Sequence, residues 1–142
     1  MLPIDNIVVP VDFSEHSRRA LADAIELAQQ FGARLHLVHA SDLPEKIPLA
    51  DEWCQAMKEE IARALEGHVD LAREAGVSAE IHLADGQPWQ AIVSLADEVG
   101  ANLIVMGSHG RTGISHAFLG SVAERTLRTA SCPVLVVKPD ES

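Results

Sequence analysis

The sequence predicts an α/β domain built on a single open, mostly parallel five-stranded sheet with helices on both faces. Three observations carry the prediction. Short runs rich in Val, Ile and Leu alternate with longer segments whose apolar residues recur at helical spacing. Glycines at positions 32, 76 and 100 stand where three of those helical segments stop. No internal repeat, linker or low-complexity block interrupts the alternation, so residues 1–142 read as one domain.

The elements follow in order. Ile4 to Val11 is the first strand, with Pro10 near its end, where a ladder N–H is not needed. Asp12 follows at its carboxyl end, and Ser14 is placed to cap the first helix. Ala20, Leu21, Ala24, Ile25, Ala28 and Phe31 form that helix's apolar face, and Gly32 ends it. Arg34 to Ala40 is the second strand. Asp42 to Ala50 carries two prolines and is expected as a loop. The second helix spans about Asp51 to Ala75, with Trp53, Met57, Ile61 and Leu65 on one face, Gly67 weakening its middle and Gly76 ending it. Ala79 to Leu83 is the third strand. Pro88 opens the third helix, whose buried face is Trp89, Ile92, Val93, Ala96 and Val99. Asn102 to Met106 is the fourth strand, Ser121 to Thr129 the last helix, and Pro133 leads into a fifth strand ending near Pro139. Crossovers between parallel strands should be right-handed.

Composition narrows the function classes. Hydrophobic residues make up 47% of the 142, enough for a sizeable core. The formal charge of −10 argues against a basic nucleic-acid surface and against anionic membranes. Cys54 and Cys132 form no CxxC and are expected as reduced thiols. No signal peptide and no run of membrane-spanning length is visible, so a cytoplasmic location is expected.

The most informative stretch is Leu103 to Lys138. An apolar strand breaks into Gly107-Ser-His-Gly110; nine residues later comes Gly120-Ser121, where a helix starts. Strand, glycine loop and helix start are the parts of a phosphate cradle, because glycines admit close backbone approach and a helix N-terminus presents free N–H groups. The spacing is neither Walker A nor the dinucleotide Gly-x-Gly-x-x-Gly. Each piece also has a purely structural reading. Gly107 and Gly110 can make a tight turn, and Ser121-Val-Ala-Glu124 can be a capping box with Ser121 as N-cap. The nine-residue insert, long for a turn, favours a ligand.

The spacing Gly-x-x-Gly-x9-Gly-Ser resembles the nucleotide-binding signature of the universal stress protein family, in its ATP-binding branch. The resemblance covers the whole chain: Ile7-Val-Val-Pro-Val-Asp12-Phe-Ser14 looks like that family's opening strand, Leu35 to His39 its second, and Ser131-Cys-Pro-Val-Leu-Val-Val137 its last. It implies a Rossmann-like sheet in the order 3-2-1-4-5, with a nucleotide crevice at the carboxyl ends of strands one and four. It also implies ATP, with or without Mg²⁺, as ligand, and a homodimer through the C-terminal strand, Val134 to Val137. The implied nucleotide-binding positions are Pro10, Val11, Asp12, Val38, Met106, Gly107, Ser108, His109, Gly110, Arg111, Gly120, Ser121 and Val122.

Within that set, Asp12 is placed to accept from a ribose hydroxyl or the adenine amino group, or else to cap the first helix. The resemblance suggests that Val38 reads the adenine edge through its backbone. Arg111, the loop's cation, is placed to pair with phosphate oxygens. Family members often carry a basic residue where this chain has His116, which leaves less fixed charge on the phosphates.

No metal site is expected. The seven histidines form no His-Glu-x-x-His and no Cys/His cluster, and His36 and His39 have opposite parity on their strand. No catalytic residue is assigned, since no Gly-x-Ser-x-Gly elbow and no evident base accompany the loop. The leading expectation is an ATP-binding regulatory or stress-response protein with an unidentified protein partner. Two rivals stand beside it: a slow ATPase or nucleotidyl-transferring enzyme, and a nucleotide-free dimeric interaction module.

Overall fold

The computed structural model describes residues 3–41, 50–109 and 119–138. In chain order the elements are β1 (Asn6–Pro10), α1 (Glu15–Phe31), β2 (Arg34–Ser41), α2 (Ala50–Glu74), β3 (Ala79–Asp85), α3 (Pro88–Val99), β4 (Leu103–Gly107), α4 (Ser121–Thr129) and β5 (Val134–Val137). The strands pair in parallel, as the alternation of strands and helices predicts, in the order β3-β2-β1-β4-β5 that the family resemblance implies.

Strand parity sorts the core into two layers. Ile7 and Val9 of β1 and Leu35 and Leu37 of β2 pack with Ala20, Leu21, Ala24 and Ala28 of α1 and with Leu65, Val69 and Ala72 of α2. The alternate residues Val8, Val38, Ile104 and Met106 pack with Ile92, Leu95 and Ala96 of α3 and Ala123 of α4. A sheet covered on both faces buries successive residues of its central strands, which is why β1 and β4 appear as unbroken apolar runs.

Local chemistry fixes the joints. Ser14 is the N-cap of α1, its Oγ accepting from the Ser17 N–H at 3.2 Å. Gly32 closes α1 and Gly100 closes α3, both in the left-handed conformation. Pro88 occupies the first turn of α3.

Some expectations move. Trp53 and Phe31 are 54% and 46% exposed, outside the apolar faces assigned to them. The 25 residues of α2 span about 37 Å. The seven residues of β3 span only about 23 Å. The first turns of α2 therefore overhang the sheet, and among the described side chains of the helix burial becomes complete only at Leu65. Phe31 sits likewise in the final turn of α1, longer at 17 residues than the strands beneath it. Leu95 is buried on α3 although the helical face as predicted passes over it. β3 continues through Asp85 because Ala84 and Asp85 pair with Ala40 and Ser41. Ser121 is not the N-cap of α4: Gly120 is, so the predicted capping box does not form.

Candidate functional site

β1 lies beside β4, with Ile7 opposite Leu103 and Val8 opposite Ile104, and their connections leave in opposite directions along the sheet. A crevice at the carboxyl ends follows from that topology. At that end Pro10 closes β1, with Val11 and Asp12 next in the chain, and Met106 and Gly107 close β4, with Ser108 and His109 next.

On the β1 side the chain turns sharply. Phe13 takes a left-handed φ of 65°, unusual for a residue with a Cβ. Its ring packs 5.2 Å from His39 and 5.8 Å from His68, which supplies the contact that holds the strained turn. The turn sets Asp12 at the strand end, where its Oδ1 accepts from the Ser14 N–H at 2.9 Å. Sequence reasoning gave Phe13 no role; nothing in the sequence marks a Phe for positive φ.

On the β4 side the backbone folds back on itself. The Gly120 N–H donates to the Ser108 carbonyl at 2.8 Å, so the two ends of the long loop meet. A Cβ on Gly120 would stand 2.9 Å from that same oxygen and 3.2 Å from His109 Cα. The glycine is required by close approach rather than by an unusual φ, which is −64°. As N-cap of α4, Gly120 has no side chain to occupy the first N–H groups of the helix, at Ser121 and Val122. Those donors begin α4 beside the Ser108–His109 turn. Ser121 is exposed and Val122 half-buried.

Ser108 is buried, its N–H bonded to the Val137 carbonyl at 3.0 Å and its Oγ 3.0 Å from His109 Nδ1. The His109 ring lies 5.4 Å from that of His16, and His109 Nε2 and His16 Nδ1 are buried without a hydrogen-bond partner among the described residues. Gly110, Arg111 and His116 lie outside the described residues.

Val38 is deep in the core at 2% exposure, and its carbonyl accepts the Val11 N–H at 2.8 Å. Its main chain is therefore engaged by the β1 segment. In a parallel ladder alternate residues direct both backbone groups to the same neighbour. Ala40 is thus the next residue of β2 facing the β1 side, and it lies beyond the last β1 pairing at Pro10–Val38. A hollow of about 400 Å³ opens at this end of β2 and β3 beside α3, lined among others by Val38, His82, Asp85, Gln87 and Gln90.

A second constellation lies on the α3 face, toward the amino ends of the strands. Among the described residues, the ligand atoms of His36, Glu80 and His82 all lie within 4.8 Å of one another. Burial first, and then the neighbouring His82, hold His36 below the ordinary histidine value, with Arg34 acting in the same direction and Glu80 against it. The sequence conceals this group because His36 comes from β2 and the other two from β3; only the register, His36 opposite Glu80, joins them. Cys132 is a free thiol, pushed up by burial and by Asp97 and so held in its unreactive protonated form. The side chain of Cys54 lies outside the described residues. No helix among the described residues is long and apolar enough to cross a membrane.

Residues 3–138 match the model of the universal stress protein family. A universal stress protein of Methanocaldococcus jannaschii is 39% identical over 137 residues, covering 93% of this chain and 81% of its own. The structure of a universal stress protein from Archaeoglobus fulgidus in complex with dAMP superposes with a TM-score of 0.71 at 32% identity, covering 96% of this chain and all of that one. A crystal structure of a universal stress protein in complex with cAMP gives 0.75 at 31% identity, covering 98% and 100%.

Proposed function

The chain belongs to the universal stress protein family, and from that premise we propose that it is a cytoplasmic nucleotide-binding regulator that holds ATP between β1 and β4 with little or no turnover. The observation that carries the reading is the return of Gly120 onto Ser108, which sets a helix start free of side-chain caps beside the strand crevice. Two relatives whose structures contain dAMP and cAMP support a nucleotide as the ligand class.

The adenosine end lies on Asp12, whose carboxylate is oriented by the Ser14 N–H. The adenine edge meets the main chain of Ala40, because that of Val38 is already engaged by Val11. The phosphates lie beside Gly107 on the N–H groups at the start of α4, where the dipole and free donors favour an anion. Gly110 and Arg111 join them by resemblance. Mg²⁺ would arrive with the triphosphate, which is its usual mode. Rapid phosphoryl transfer needs a positioned cation and an oriented nucleophile. The start of α4 supplies backbone donors but no Walker lysine, and among the described residues none orients His109 toward a water, its Nδ1 being engaged with Ser108. Binding then acts by biasing the surface that a partner protein meets.

Calorimetry with ATP and AMP tests the reading. Asp12→Ala should weaken both nucleotides alike; a loss confined to ATP would move Asp12 to the phosphate end. Phosphate release should stay far below the ~1 s⁻¹ of slow enzymes. Purified protein that binds neither nucleotide would overturn the assignment.

A further inference from the structure

We propose that His36, Glu80 and His82 form a binding site for a divalent transition-metal ion of the zinc class, separate from the nucleotide crevice. His36 Nδ1 lies 3.2 Å from His82 Nε2, 3.6 Å from Glu80 Oε2, and His82 Nε2 lies 3.7 Å from the same oxygen. Three atoms at those separations share a central point about 2.0 Å from each, which matches Zn–N and Zn–O bonds of about 2.0–2.2 Å. Two imidazoles and one carboxylate are a ligand set that zinc accepts while keeping a further position open.

The surroundings support the ligands. His36 is 4% exposed and cannot swing away, while its Nε2 lies 3.0 Å from Asn6 Oδ1. If Nε2 carries the proton and donates to that oxygen, Nδ1 keeps a lone pair directed at the other two groups. A hydrogen bond of this kind from the far ring nitrogen fixes the tautomer of a metal-bound histidine. The Asn6 main chain is anchored, its backbone N–H donating to Asn102 Oδ1 at 3.0 Å. Glu80 and His82 lie two residues apart on β3, so they share a face, and His36 stands opposite Glu80 in register. His82 lines the 400 Å³ hollow beside α3, which gives an ion, and a fourth ligand from solvent, a way in.

The competing reading is a hydrogen-bonded chain, His82 to His36 to Asn6, with Glu80 at its side. At neutral pH the His36–Glu80 contact is not an ion pair, because His36 is held neutral. The two readings separate on addition of metal. Chelator-stripped protein, dialysed against Zn²⁺, should retain one ion per chain, and Co²⁺ should develop the visible bands of a low-coordinate site. His82→Ala and Glu80→Gln, both at accessible positions, should keep the fold and each lower Zn²⁺ affinity at least 10-fold. Asn6→Leu should weaken binding and alter the Co²⁺ spectrum, and Asn6→Asp, which retains the acceptor, should restore it. AMP affinity should be unchanged in Glu80→Gln, which keeps this test independent of the nucleotide reading. Substoichiometric zinc in the parent protein, or zinc bound equally well by His82→Ala and Glu80→Gln, would overturn the site.

Discussion

Gly107 and His16 meet backbone to backbone: a Cβ on Gly107 would stand 2.7 Å from His16 Cβ and 2.8 Å from its carbonyl carbon. The first glycine of the loop motif therefore has a packing duty whether or not a nucleotide is present. It lets the start of α1 lie against the end of β4. Gly107→Ala should cost about 1–3 kcal/mol of folding free energy, the range for overpacking. Urea denaturation without nucleotide measures it, and an unchanged midpoint would contradict the close approach.

Gly120 and Ser121 should separate stability from binding. Because Gly120 is the N-cap, Ser121→Ala should leave stability within about 0.5 kcal/mol, as for an ordinary surface change. A capping serine would instead lose about 1 kcal/mol. If the hydroxyl meets a phosphate, ATP affinity should fall by about 1 kcal/mol. Gly120→Val should cost much more binding, since its side chain would meet the Ser108 carbonyl. A folded Gly120→Val protein that holds ATP as tightly as the parent would sink the cradle.

Phe13 stores backbone strain at the crevice. Phe13→Ala and Phe13→Gly both lose the packing against His39 and His68, but only alanine keeps the cost of a left-handed φ. Glycine should therefore be the more stable of the two by roughly 1 kcal/mol. Equal stabilities, or a more stable alanine variant, would show that the turn relaxes on its own.

His68 predicts an acid-side loss of stability. Burial, with a smaller contribution from Arg18, lowers its folded value below the ordinary 6.5. The unfolded chain then takes a proton that the folded chain resists, so the unfolded state binds more protons below about pH 6.5. Stability should be unaffected by this group above that pH and should fall as pH drops below it. Thermal melts across pH 5–8 should show a shallower acid slope in His68→Gln than in the parent; identical slopes would remove His68 as a cause.

β5 is an edge strand, and Leu135 on it is 42% exposed. We propose that it pairs with the same strand of a second copy, which would satisfy both edges. The Ile104 N–H donates to the Pro133 carbonyl and the Ser108 N–H to the Val137 carbonyl, so odd-numbered residues face β4 and Val136 faces outward. Val136→Pro should leave the single chain folded, because edge strands tolerate proline with the N–H side outward. It should also halve the mass seen by light scattering at micromolar concentration. A parent protein of single-chain mass would refute the dimer.

The sequence by itself determined the elements and the parallel α/β class, because local chemistry and periodicity agree at nearly every element; the strand order followed from the family resemblance. Ser14, Gly32, Pro88 and Gly100 each do at the helix ends what their residue type predicts, and α4 spans the very residues expected of it. Asp12, Gly107 and Gly120 were legible as site candidates because strand ends and glycine spacing are written in order along the chain. Tertiary structure decided what depends on elements distant in sequence. Helix lengths measured against the sheet expose Trp53 and Phe31 despite their apolar character. Proximity of the Ser108 carbonyl makes Gly120, and not Ser121, the cap of α4. The point where β1 stops pairing sets Ala40, and not Val38, at the open edge of β2. Register alone gathers His36, Glu80 and His82 from two strands into one triangle. A period of two tells which face a side chain takes, but only the pairing of strands says which residue stands opposite it.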